Sequence, residues 1–141
     1  MTASELLDYQ LRKSGEMIKV TLEAWPSEAF DKKATAASMS AKETVSHLAE
    51  CFVAVEAALD GLEYQWGAPP DLGERPQEVS EEFFRRRSST AARLVAAGDK
   101  GATLGVDYLA MHEQYHIGQL CLLRMEFEPG WNAYSIYGDF S

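Results

Sequence analysis

The stretch SAKETVSHLAECFVAVEAAL, residues 40–59, reads as one amphipathic helix from first turn to last. Ser40 and Glu43 stand at capping-box spacing, where side-chain oxygens satisfy backbone N–H groups that a first turn leaves without partners. Val45, Leu48, Phe52, Val55 and Leu59 follow at steps of three, four, three and four. That period is the seam of a helix packed in a bundle, and Gly61 marks its end. Beside the seam runs the row His47, Cys51, Ala54 and Ala58, small and apolar apart from the imidazole, which leaves room for a cavity next to the ring.

The same periodicity recurs on both sides. A helix from Ser4 to about Trp25 opens on a second capping box, Thr2 with Glu5, turns Leu6, Leu7, Leu11, Ile18 and Leu22 inward, and is expected to stop at Pro26. A third begins near Ser80, follows Phe83, Phe84, Leu94 and Val95, and ends at Gly98. A fourth runs from near Thr103 to about Glu126, with Leu104, Tyr108, Leu109, Leu120 and Leu123 as its inner face, and Pro129-Gly130 terminates it. Ser27 to Met39 reads as a polar linker. Gly61 to Gln77 reads as a Gly- and Pro-rich loop with Leu62, Tyr64 and Trp66 as apolar anchors. The aromatic tail, Trp131, Tyr134, Tyr137 and Phe140 at steps of three, is expected to pack on its own bundle or on a partner. No segment alternates as a strand. These elements predict an all-α chain, one four-helix-bundle domain over residues 1–141, because each apolar stripe needs another to bury it.

Composition narrows the functions. The chain has 141 residues, enough to bury roughly 70% of its unfolded surface in a single core. With 13 Lys and Arg against 22 Asp and Glu, its formal charge is −9. Such a surface repels phosphate backbones and anionic leaflets, so neither nucleic acid nor membrane is expected as a partner. No apolar run approaches the ~20 residues that span a bilayer, and the acidic first eight residues lack the order of a signal peptide. Cys51 and Cys121, both within amphipathic segments, read as reduced thiols of a cytoplasmic protein.

The chemistry rests on three histidines. His112 and His116, four apart on one helix, lie ~40° apart around the axis and ~6 Å along it, so both rings share a face. Two imidazoles so placed can chelate one divalent ion, and His47 on another core-facing helix supplies a third ligand, leaving one position open. The bland alternative is three ordinary core histidines, each needing partners for both ring nitrogens at a desolvation cost of roughly 1–3 kcal/mol per unpaired group. Cys51, one turn from His47, reads as a small hydrophobe more readily than as a fourth ligand. Cys121 lies ~140° away from His116 around the helix and should not reach the same ion. The string His112-Glu113-x-x-His116 also matches the zincin peptidase pattern, but those sites sit beside a sheet, so Glu113 reads as a supporting or surface carboxylate. Tyr108 and Gln119, one turn to either side of the pair, are candidates to orient a substrate or accept an imidazole N–H. Trp66 is either a lid over the site or a plug at the bundle end. Arg85, Arg86 and Arg87 read as a solvated surface.

Three stretches resemble the DinB/YfiT family of metal-binding four-helix bundles. They are Trp25-Pro-Ser-Glu-Ala-Phe30 leading to the capped helix with His47, Leu59-Asp-Gly-Leu-Glu-Tyr-Gln-Trp66-Gly after it, and His112-Glu-Gln-Tyr-His116-Ile-Gly-Gln119 with its continuation to Arg124. The resemblance implies an up-down-down-up bundle, a homodimer, and a divalent metal on His47, His112 and His116. It also implies enzymes of several kinds: thiol S-transferases and isomerases that use a low-molecular-weight thiol such as bacillithiol or mycothiol, and hydrolases. The fold and site carry over better than any one reaction. The expected mechanism is a tri-histidine zinc, nickel or iron ion acting as Lewis acid on a water or thiol for a small-molecule substrate. A second reading stays open: a non-catalytic bundle, its metal structural or absent, acting through dimerisation or ligand binding.

Overall fold

Two reciprocal capping boxes set the starts of two helices. In the computed structural model, which describes residues 1–138, Thr2 and Glu5 exchange side-chain bonds with each other's backbone N–H, and Ser40 and Glu43 do the same. They open α1 (Ala3–Leu22) and α2 (Ala41–Leu59). Helix α3 (Pro76–Ala96) begins with proline in its first turn, where the missing N–H costs nothing. Then α4 (Gly98–Gly105), one π turn (Val106–Ala110) and α5 (Met111–Phe127) join into a single rod whose junction residues keep right-handed helical backbone. The described residues thus form an all-helical bundle of four rods, without strands. No helix among them is long and apolar enough to cross a membrane.

The seam of α2 behaves as its spacing predicts: Val45, Leu48, Phe52 and Val55 are buried against Phe83 and Leu94 of α3 and Leu7, Leu11 and Ile18 of α1 in one continuous core. Several boundaries and faces differ from the expectation. Helix α1 ends at Leu22, before Pro26, because Ala24 adopts a left-handed backbone (φ 53°) that turns Trp25 back into the core. The Arg124 guanidinium seals that end by donating to the carbonyls of Thr21 and Ala24. Leu6 is exposed, since the inward stripe of α1 runs through Leu7, Leu11, Ser14 and Ile18, and an adjacent residue points ~100° away. The linker is not wholly polar, for Ala29 and Phe30 are buried. Helix α3 starts at Pro76, not near Ser80.

The fourth rod departs furthest from the expected pattern. It starts at Gly98, directly after α3, through a turn in which Gly98 takes φ 62°. Its most buried line is Gly101, Gly105, Leu109, Glu113, Ile117 and Leu120, one position round from Leu104, Tyr108 and His112. Leu104 is only half-buried and Tyr108 is exposed. Glycine decides this register: a Cβ on Gly105 would come within 2.6 Å of the Leu7 side chain, so the rod approaches α1 on the face with least bulk. The aromatic tail packs in cis, with residues 133–137 against α1 and Trp131 over the Arg124 guanidinium at 4.7 Å. Tyr134 and Tyr137 are exposed, and Phe140 lies outside the described residues.

That register buries Glu113, which is not a surface carboxylate. Its two oxygens meet the Nε and Nη2 of Arg87 on α3 at 2.8 Å each, and Ser14 on α1 donates to it at 2.8 Å. Arg87 also reaches the Leu11 carbonyl at 2.7 Å, in space that Gly15 leaves by lacking a side chain. Arg87 is therefore the buried member of the arginine triplet, while Arg85 and Arg86 pair with Glu82 at the surface. Glu113→Ala strands a buried guanidinium and should cost about 3–5 kcal/mol in urea unfolding. The double variant Glu113→Leu Arg87→Met should recover most of that loss, because it removes both charges and keeps the volume.

Candidate metal centre

Helix α2 brings His47 and helix α5 brings His112 and His116 to one point at the edge of the bundle. His112 Nε2 lies 3.1 Å from His47 Nε2 and 2.9 Å from His116 Nε2, and one nitrogen from each ring falls within 4.8 Å of the other two. Two nitrogens bound tetrahedrally to one zinc ion at 2.0–2.1 Å stand roughly 3.3 Å apart, close to this spacing. The rings meet edge to face, with centroids 4.6–4.9 Å apart. His116 is buried and the other two are half-buried, so the cluster faces solvent on one side instead of lying in the middle of the core.

Neighbouring groups orient two of the rings. His116 Nδ1 sits 2.7 Å from Gln119 Oε1, and the Gln119 amide nitrogen donates to the Tyr115 hydroxyl at 3.1 Å. An amide oxygen only accepts, so Nδ1 holds the hydrogen and Nε2 presents its lone pair. His112 Nδ1 lies 3.2 Å from Cys51 Sγ. A thiol both donates and accepts, so either His112 nitrogen can carry the ring hydrogen: on Nε2 it bridges to His116, and on Nδ1 it frees the Nε2 lone pair for a cation. Burial, with the neighbouring His112, pushes His116 down to about 4, and burial with His47 lowers His112 as well. These two rings are therefore neutral near neutral pH, and the three converging nitrogens fit a cation that takes nitrogen ligands.

Cys51 is not in the ligand cluster, because its sulfur touches the far nitrogen of His112. Burial, together with the carboxylates of Glu113 and Glu50, pushes its thiol up to about 12, so a neutral sulfur supports the ring from behind. Cys121 is buried elsewhere on α5, and both cysteines are free. Glu113 has no free oxygen for base chemistry, since Arg87 and Ser14 occupy both, which removes the peptidase reading.

The loop after α2 crosses beside the cluster. Glu50, three residues after His47 and buried, accepts bonds from the Gly67 N–H at 2.7 Å, the Ala68 N–H at 2.9 Å and the Tyr64 hydroxyl at 2.9 Å. Burial alone would raise its carboxyl, but these donors outweigh it and hold Glu50 below the usual range. Leu72 is the buried apolar anchor of this loop, whereas Leu62 and Trp66 are exposed. Trp66 lines a cavity of about 470 Å³ that opens onto His47 and His112, and it stacks on Tyr108. It belongs to the site, not to a plug at the bundle end. A larger cavity, about 870 Å³, lies between the end of α1 and the start of α3 and touches none of the histidines.

Of the residues singled out from sequence, the structure gathers His47, His112, His116, Cys51, Tyr108, Gln119 and Trp66 around one point. The sequence does not announce Glu50, or the pairing of Arg87 with Glu113. A carboxylate inside an apolar helical run signals a buried partner, but the partner lies on another element. No protein-family model, curated protein or solved structure matches the chain. If Gln119 sets the His116 tautomer, Gln119→Ala should weaken zinc binding about 10–100-fold in competition with a chromophoric chelator. The fold should be unchanged, since this side chain lies at the surface.

Proposed function

We propose that the chain is a DinB/YfiT-like bundle of up-down-down-up topology and a metal-dependent enzyme of the thiol S-transferase or hydrolase type. The observation that carries this reading is the convergence of three Nε2 atoms, with His112 Nε2 lying 2.9 Å from that of His116 and 3.1 Å from that of His47. A zinc, nickel or iron ion on these three nitrogens supplies a Lewis acid toward water or a thiol.

The chain's own residues prepare that chemistry. Gln119 holds the His116 imidazole with its Nε2 lone pair inward, and Cys51 supports the His112 ring from behind. Glu50 anchors the loop that walls the approach, and the cavity gives a small molecule access to His47 and His112. A catalytic ion needs such an open side, whereas structural sites are closed by protein ligands. The apolar core is continuous without any contribution from the cluster, which also argues against a structural metal. The free thiols suit a reducing compartment, and we assign the protein to the cytoplasm.

We also propose that it works as a homodimer through the outer face of α5. Met111, Tyr115, Gly118, Leu122 and Met125 step by four, three, four and three along that face, and Leu122, Met111 and Tyr115 are 70%, 65% and 64% exposed. The large residues are disposed symmetrically about Gly118, beside which a Cβ would meet open space, so two antiparallel copies can cross closely there. Every exposed residue from 111 to 125 is uncharged, which spares a second copy of this acidic chain from like-charge repulsion. Leu122→Glu should turn the dimer into a monomer in sedimentation analysis, with helix content retained.

Elemental analysis after loading with zinc or nickel should find about one ion per chain, and none in the His112→Ala His116→Ala variant. Failure of the parent to take up metal under any loading condition would sink the enzyme reading. Chelator should strip the ion with little change in the thermal melt; a collapse of the fold would make the metal structural instead.

A further inference from the structure

The cavity over His47 and His112 has a chemical character of its own. Its floor is the edge of the two imidazoles and the Cys51 side chain. Its walls are Trp66 and Tyr108, with planes 20° from parallel and centroids 6.1 Å apart, and the Met111 thioether lies beside them. Half of the Trp66 surface faces solvent (51%), so an aromatic face is on offer to a ligand. The single charged side chain on the lining is Asp107, in the π turn; neither Lys nor Arg contributes.

The indole is held in place. Glu50 binds the backbone on its C-terminal side through Gly67 and Ala68, and on its N-terminal side through Tyr64, whose ring meets the indole edge to face at 5.2 Å. A carboxylate buried in order to pin both flanks of an exposed tryptophan marks a preorganised wall, since little ordering remains to be done when a ligand arrives.

We propose that this cavity is the substrate subsite and takes a flat aromatic group that carries no negative charge, cationic forms being favoured. The identification as a substrate subsite rests on the metal-dependent reading above. Aromatic walls and a thioether favour a planar apolar group by stacking and burial. The faces of Trp66 and Tyr108 and the Asp107 carboxylate favour an attached cation. In the metal-free protein an anion meets Asp107 and a chain of formal charge −9 with no cationic side chain on the lining to offset them.

The test uses chelator-treated protein and three probes of equal size, 1-naphthylmethylamine, 1-naphthalenemethanol and 1-naphthoate, followed by NMR shifts of the Trp66 indole N–H and nearby backbone amides. The amine should bind tightest, the alcohol next and the naphthoate at least tenfold more weakly than the amine. Trp66→Ala, read from the backbone amides, should weaken the alcohol by about tenfold and the amine by at least as much. Asp107→Asn should narrow the gap between amine and alcohol and leave the alcohol unchanged. Equal or tighter binding of the naphthoate, or amine binding indifferent to both substitutions, overturns the proposal. Because no metal is present in these titrations, that failure leaves the tri-histidine site standing, and failure of metal loading leaves the aromatic subsite standing.

Discussion

The rotation of α5 about its own axis governs everything at the site: the glycine face of the rod selects it, and a buried ion pair locks it. Glu113 lies between His112 and His116 in the chain, so the direction it faces dictates where both imidazoles go. Arg87 from α3 grips both its oxygens and Ser14 from α1 adds a third bond, all at 2.8 Å. A carboxylate taken out of water tolerates little displacement from such partners, because a lost bond leaves a buried charge exposed to low dielectric. The ion pair thus holds the histidine pair toward α2, which carries His47.

The same economy recurs one layer out. Each half of the site is positioned by polar contacts: Gln119 within α5 and Cys51 from α2 for the two α5 imidazoles, and Glu50 of α2 for the loop that carries Trp66. The π turn at Val106–Ala110 belongs to this layer. It lies directly before His112, and π turns within helices occur frequently at functional sites. Here it presents Asp107 and Tyr108 to the cavity while α4 keeps its glycine face on α1.

Much of the molecule was legible beforehand. Two capping boxes place the starts of α1 and α2 within one residue, and the three-four period of α2 names its core positions, because both signals are local and involve groups within a turn of each other. The chelating spacing of His112 and His116 was equally local. The fourth rod misled. Large apolar residues were taken to point inward, but two glycines allowed the closest approach to α1, and the buried line moved by one residue. Arg87 reads as a surface charge and Glu113 as a supporting or surface carboxylate, because nothing nearby in sequence announces that partners 26 positions apart will bury each other.

What the chain by itself determined, then, is what depends on neighbours within a few residues: four amphipathic rods, their caps, and a histidine pair on one face. Tertiary structure decided which face met which. It brought His47 across from α2, buried the Glu113 carboxylate against Arg87, and pinned the Trp66 loop to Glu50. Those outcomes depend on close packing and on desolvated charges finding partners across elements, and neither has a period that a linear sequence can display.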